Sequence, residues 1–295
     1  MILEFSVENF LSFKNQVTLS MVSADISGHE DNVFSINNYD LLKTAVIYGA
    51  NASGKSNLVK AMRFMKDMVI LSSKESQSGE EIDVEPFKFS TESKVQPSEF
   101  EIIFIYKKIL YRYGFVVDTQ CVYQEWLYYL PNNQQEEIAL FERSKENDRY
   151  TISLGENFKE AEIVKKINIR KNALLLSVVA QLDDSGIAGQ ILEWFINDFN
   201  VLFALNQASY ESFTLKKLKD PHDKQEILRF LKAADTAIEN IEVVDVKEQN
   251  LPQELPKALK GFLVSKAKAV MTEHESEGTK KLFALSGLII ETLKN

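Results

Sequence analysis

An α/β fold with a β-rich first half and a helix-rich second half is predicted for this chain by three observations. An apolar, β-favouring run, Thr44-Ala45-Val46-Ile47-Tyr48, leads into a glycine-bearing loop at 49–56 that opens onto a helical pattern. Short β-favouring segments then follow one another closely over about 99–154. Near residue 158 the apolar spacing changes from two to three and four. A length of 295 residues allows one large domain or two modest ones, and 45% hydrophobic residues are enough to bury a core.

Residues 2–7 alternate, with Ile2, Phe5 and Val7 among polar neighbours, as a half-buried strand does. Asn9-Phe10-Leu11-Ser12-Phe13 turns the chain into a second strand at about 17–22. The polar stretch 25–40, with Gly28 and several asparagines, reads as a surface loop before a strand at 44–48. Leu58, Val59, Met62, Met65 and Val69 predict a helix over about 55–72, followed by a polar surface segment to Glu81. Strands at about 99–106, 109–118, 121–130, 138–143 and 149–154 predict an antiparallel meander. Lys107-Lys108 and Pro131-Asn132-Asn133 mark two of its turns. Ile191, Leu192, Phe195, Ile196 and Phe199 typify the helices of 158–240, broken at Asp183-Asp184-Ser185-Gly186 and restarted at Asp220-Pro221. Residues 241–246 alternate like a strand, Pro252 and Pro256 bracket a loop, and 277–294 form a last amphipathic helix. The expected organisation is a β-rich lobe at 1–157, a helical insert at 158–240 and a return to the first lobe at 241–295.

The loop Gly49-Ala50-Asn51-Ala52-Ser53-Gly54-Lys55-Ser56 fits the phosphate-binding pattern G-x-x-x-x-G-K-[ST]. Glycines let backbone N–H groups wrap phosphate oxygens, and the helix that follows adds its orphan donors and positive dipole end. Lys55 would reach the β- and γ-phosphates, and the Ser56 hydroxyl would ligate Mg²⁺. Strand before and helix after make this a nucleoside triphosphate site rather than an idle turn, and the fold a phosphate-loop one.

Other chemistries are poorly supported. A net charge of −9 argues against a globally basic nucleic-acid surface. Cys121 is alone, so no disulfide framework forms within the chain, and a small buried hydrophobe is its plainer reading. His29, His222 and His274 show no ligand spacing, which leaves Mg²⁺ as the expected metal. Lys165-Lys166, Arg170-Lys171 and Lys216-Lys217-Lys219 read as solvated helix faces before they read as phosphate contacts. Trp126, Tyr128 and Tyr129 read as cross-strand packing rather than a base-stacking platform. The start Met1-Ile2-Leu3-Glu4-Phe5 lacks a basic leader, and no apolar run spans a membrane, so a cytoplasmic protein is expected.

A second motif, Glu275-Ser276-Glu277-Gly278-Thr279-Lys280-Lys281, stands just before the last helix. Alone it is an ordinary helix cap. Beside the phosphate loop it resembles the signature motif of ABC-class ATPases. Phe5-Ser6-Val7-Glu8-Asn9-Phe10-Leu11-Ser12-Phe13 and the phosphate loop through Asn57 look like the SMC/RecF-type branch. With Phe230-Leu231-Lys232-Ala233-Ala234-Asp235, the chain resembles prokaryotic AAA/ABC-type ATPases of the abortive-infection and overcoming-lysogenization-defect group. That resemblance implies an ABC/SMC-like head that binds ATP and Mg²⁺ and dimerises as an ATP sandwich. It also implies a phage-defence role beside a nuclease or toxin effector. By the same match Gly49, Asn51, Ser53, Gly54, Lys55, Ser56 and Asn57 hold phosphate, with Ser56 on Mg²⁺, and Ser276 and Gly278 touch the γ-phosphate held by the opposite subunit.

One family element is missing. No run of four apolar residues is followed by Asp-Glu, the pattern that holds the Mg²⁺ shell and polarises water. Asp118, Asp245 and Glu291 each end an apolar run, but each reads better as part of a strand or a packed helix. In the family that Walker B strand follows the signature helix, and here the signature helix reaches Asn295. The expectation is therefore ATP binding with poor hydrolysis by this chain alone. Two other readings stay open: a split or non-catalytic half that binds nucleotide and a partner chain, and a RecF-like DNA-maintenance ATPase. No glutamine that senses Mg²⁺ is identifiable; Gln96 lies in the right region without a distinguishing context.

Overall fold

Strand β1 (Ile2–Glu8) forms where the alternation predicts a strand, but the buried face is Leu3, Phe5 and Val7, with Ile2 half-buried on the other face. It pairs antiparallel with β2 (Val17–Ser20). The stretch read as a polar loop is instead a hairpin, β3 (Val33–Ile36) and β4 (Tyr39–Leu42). Its two turn residues, Asn37 and Asn38, both have positive φ, 50° and 66°, the conformation that suits a two-residue hairpin turn. The Asn-Asn pair between two β-favouring tetrads was the available signal. The computed structural model describes residues 1–26, 28–74, 79–131, 135–147, 149–202, 207–234, 238, 240–241, 243–244, 268–269 and 276–294. Their contacts group into two units, Met1–Val201 and Leu202–Asn295.

In the first unit, helix α1 (Lys55–Leu71) is followed by the meander β5 (Ser98–Tyr106), β6 (Ile109–Val117), β7 (Val122–Leu130), β8 (Ile138–Glu146) and β9 (Arg149–Leu154). With β1 and β2 they form a seven-stranded sheet in the order β2-β1-β5-β6-β7-β8-β9, antiparallel at every pairing. Period two puts Phe100, Ile102 and Phe104 of β5 opposite Phe115, Tyr113 and Tyr111 of β6. Between strands β6 and β7, Gly114 faces Trp126, and a Cβ there would stand 2.3 Å from the indole. The glycine makes room for the ring, so Trp126 is cross-strand packing; its Nε1 donates to Glu101 at 2.8 Å.

Helix α1 buries Leu58, Ala61, Met65 and Val69, one face at helical spacing, in the same core as the sheet aromatics. A 3-10 helix at Lys159–Lys166, then α2 (Leu175–Leu182) and α3 (Ile187–Asn197), add to that core. The break at 183–186 falls between α2 and α3. Trp194 of α3 stacks on Phe104, ring centroids 3.9 Å apart.

One sequence expectation fails here. Residues 44–48 form no strand, and Val46 and Tyr48 are 84% and 90% exposed. A strand exists only where a neighbour completes its hydrogen-bond ladder, and among the described residues no strand pairs with this run.

The second unit is built from α4 (Gln207–Lys217), α5 (Pro221–Ala233), the short antiparallel pair β10 (Val243–Val244) and β11 (Lys268–Ala269), and α6 (Glu277–Lys294). Helix α5 starts where Asp220-Pro221 predicts: the Asp220 side chain accepts from the His222 and Asp223 N–H groups. Leu215, Ile227, Leu231, Phe283 and Ile290 share one core. Gly287 of α6 packs against Thr214 of α4, whose hydroxyl donates to Ala284 O at 2.8 Å and accepts from Gly287 N at 3.1 Å. The helical stretch 158–240 thus divides, with α2 and α3 in the first unit and α4 and α5 in the second. Among the described residues no helix is long and apolar enough to cross a membrane.

Candidate functional site

The phosphate loop is an exposed turn ending at a buried glycine. Gly49, Ala50, Asn51, Ala52 and Ser53 are exposed, whereas Gly54 is buried and begins α1 as its N-cap. Gly54 has φ +95°, and Ala52 also lies in the left-handed region at +63°. A side chain at Gly54 would be strained by that φ and would approach Phe13 Cε1 to 3.3 Å. Ser53 N donates to Ala50 O at 3.2 Å and Asn57 N to Gly54 O at 2.8 Å, closing the loop onto the helix.

Two features fit this loop to an anion. No side chain caps the start of α1 and no acidic residue lies in its first turn, so the helix keeps its donors and positive dipole end. Lys55 Nζ, meanwhile, donates to the Gly49 and Ala50 carbonyls at 2.8 and 2.7 Å and approaches Ser53 Oγ at 3.5 Å. Its charge is held across the mouth of the loop by neutral acceptors, which phosphate oxygens would replace with stronger, charge-assisted bonds. Gly49, Ser53, Gly54, Lys55 and Asn57 are therefore brought together around one loop; Asn51 and Ser56 are exposed on it.

Asn9, which the sequence presents only as one member of the Phe5–Phe13 stretch, braces the end of β1. Asn9 is 4% exposed, with φ +50°. Its amide donates to the Ser93, Gln96 and Pro97 carbonyls at 2.9, 2.8 and 3.2 Å and accepts from Phe87 N at 3.1 Å. It ties the end of β1 to the segment before β5. Gln96 contributes its carbonyl to that tie and lines a small cavity with Lys94, Asp118 and Thr119. The signal was a lone asparagine just after a strand, where left-handed φ is tolerated.

Ser276 and Gly278 stand exposed at the start of α6, in the second unit. Ser276 Oγ accepts from Thr279 N at 3.1 Å, an N-cap, and the space where a Gly278 Cβ would lie is open apart from that hydroxyl at 3.6 Å.

Two of the three carboxylates that end apolar runs, Asp118 and Glu291, have structural partners. Asp118 accepts from the Gln120 and Cys121 N–H groups and from the Tyr123 hydroxyl, closing the β6–β7 turn. That bond and burial push the Tyr123 pKa up to about 12. Glu291 pairs with Lys217, which also meets Asp223 at 3.5 Å. Those contacts, with Lys217 bonding foremost to Glu291, raise the lysine pKa. Asp245 and His274 lie outside the described residues. Asp220, His222 and Asp223 cluster closely enough to hold a cation, but Asp220 is spent on the helix cap and Lys217 stands beside Asp223. Cys121 is buried, as its plainer reading expects.

A second cluster escaped the sequence altogether. Glu125 and Arg143, on adjacent strands, are both fully buried and 3.7 Å apart. The Glu125 carboxylate accepts from the Leu175 and Leu176 N–H groups at 2.6 and 3.0 Å and from the Tyr113 hydroxyl at 3.1 Å, holding the start of α2. Burial raises its pKa, against the lowering effect of Arg143 and those donors. Nothing in a β-meander sequence distinguishes an inward-facing charge from an outward one.

Comparison with curated proteins finds no match. A family model described as "AAA domain, putative AbiEii toxin, Type IV TA system" matches residues 45–295, a span that takes in both the phosphate loop and the Ser276-Glu277-Gly278 helix start. The chain belongs to that AAA-domain family, a membership that supports a nucleotide-binding, ATPase-type function.

Proposed function

We propose that this chain is a Mg·ATP-binding head of ABC/SMC type that dimerises around two nucleotides and hydrolyses ATP slowly by itself. One observation carries the reading: Lys55 sits across an uncapped helix start with neutral carbonyls in the place of phosphate oxygens. In the proposed site Asn51, Ser53, Lys55 and the loop amides bind the phosphates, Ser56 ligates Mg²⁺, and Ser276 and Gly278 of one copy approach the γ-phosphate on the other. Slow turnover follows because Asp118 and Glu291, two of the three carboxylates that end apolar runs, are bound to structural partners. The cellular role in this reading is phage defence with an effector protein.

The same observation about Asp118 and Glu291 favours a second reading, a nucleotide-binding half that regulates a partner chain. Titration with Mg·ATP and Mg·GTP, beside a phosphate-release assay, tests both. Lys55→Ala is expected to bind Mg·ATP about 10–100-fold more weakly than wild type, the loss of charge-assisted bonds to phosphate, and the Mg·GTP arm reads which base the site takes. Turnover on the order of 1 per second that Lys55→Ala abolishes would overturn slow hydrolysis. Equal affinity of both proteins for Mg·ATP would overturn the site.

A further inference from the structure

The turn after β1 holds the phosphate loop from outside the loop's own sequence. Phe10 and Phe13 exchange backbone bonds of 2.9 and 2.8 Å across this turn, and Leu11 N donates to Glu85 O at 2.9 Å. The ring of Phe10 lies 5.7 Å from that of Phe64 on α1 and 5.2 Å from that of Phe100 on β5. Asn9 fixes the other end of the turn to the segment before β5. The turn is thus a rigid bracket, and Ser12 stands at its exposed crest.

Ser12 meets the phosphate loop at two points. Its Oγ accepts from Asn57 Nδ2 at 2.8 Å, 45 residues away in sequence. It also lies 2.9 Å from where a Gly54 Cβ would be, so the hydroxyl closes over the glycine that sets the loop's hinge. Asn57 sits in the first turn of α1, where rotation of the helix start decides where the loop amides aim. A bond of 2.8 Å from a fixed bracket to that turn removes the rotation before any ligand arrives.

We propose that Ser12 is a positioning residue for the phosphate loop, acting through Asn57 to pre-set the first turn of α1. The proposal rests on the nucleotide reading of the loop for its consequence, though not for its geometry. Ser12 itself touches no phosphate in this account.

Hydrogen–deuterium exchange of the full chain without nucleotide tests the geometry, and Mg·ATP titration tests the consequence. Ser12→Ala removes the acceptor, Ser12→Thr keeps it, and Asn57→Leu removes the donor from the other side. Ser12→Ala and Asn57→Leu are expected to speed exchange at the start of α1 while its later turns, around Met65 and Val69, stay protected. Ser12→Ala is expected to weaken Mg·ATP binding about 3–10-fold, the weight of one hydrogen bond, with Ser12→Thr restoring it to within about twofold. Unchanged exchange at the start of α1 in both removal variants overturns the proposal. So does a Ser12→Thr protein as weak as Ser12→Ala, or loss of protection along the whole helix, which would make Ser12 merely structural. A wild type that binds no Mg·ATP would sink the nucleotide reading alone, since the exchange result stands by itself.

Discussion

Replacing Arg143 by methionine isolates the buried pair that joins β7, β8 and the start of α2. Besides facing Glu125, the guanidinium donates to Ala173 O at 2.7 Å and Arg170 O at 3.3 Å and lies 4.2 Å from the Tyr150 ring centroid. Methionine keeps much of the apolar length but strands the Glu125 carboxylate with two backbone N–H groups and one hydroxyl. Breaking a buried pair in this way costs about 3–5 kcal/mol. At about 2–4 °C per kcal/mol for a unit of this size, the melting temperature falls by about 6–20 °C. Trp126 and Trp194 are the only tryptophans and both belong to the first unit, so tryptophan fluorescence in a denaturant titration follows that unit alone.

The pH dependence has a definite sign. Burial already raises the Glu125 pKa in the folded chain, and removing Arg143 raises it further. A group with a raised folded-state pKa adds stability below its unfolded pKa, and that contribution is lost as pH rises through the folded value. The variant's extra loss therefore develops as pH rises, and the penalty is larger at about pH 8 than at about pH 5. A variant within about 1 kcal/mol of wild type at both values would refute the reasoning and leave the junction to the backbone bonds alone.

Two further outcomes are expected. Gly54→Ala forces a left-handed φ on a side chain that also meets Ser12 and Phe13, so it costs the first unit about 1–3 kcal/mol in the same fluorescence assay. It should also lower Mg·ATP affinity at least about tenfold in a binding titration, because the loop amides lose their aim. Ser276→Ala removes the N-cap of α6 and costs about 1 kcal/mol in thermal unfolding followed by circular dichroism. If Ser276 also reaches nucleotide across a dimer, the variant stays monomeric with Mg·ATP in light scattering while wild type shifts towards dimer; equal behaviour would reject the trans contact.

The local chemistry was legible in the sequence. The phosphate loop, the helix after it, the five-strand meander and the Asp220-Pro221 helix start are decided by patterns within a few residues. Each is a matter of backbone freedom, periodicity or capping. What needed tertiary structure was anything defined by a neighbour distant in the chain. The apolar run 44–48 has strand composition, yet strands are made by partners, and among the described residues no strand pairs with it. Glu125 and Arg143 look like any charges on amphipathic strands until the sheet turns them inward to meet α2. Ser12 and Asn9 lie in the Phe5–Phe13 stretch, but nothing in that stretch names their partners; they matter because the turn after β1 folds back against residues 45 and more than 80 positions away. The sequence alone determined that a phosphate loop exists and where its helix begins. Only the tertiary structure decided what holds that loop in shape, because a hydrogen bond across the fold leaves no periodic trace in the chain.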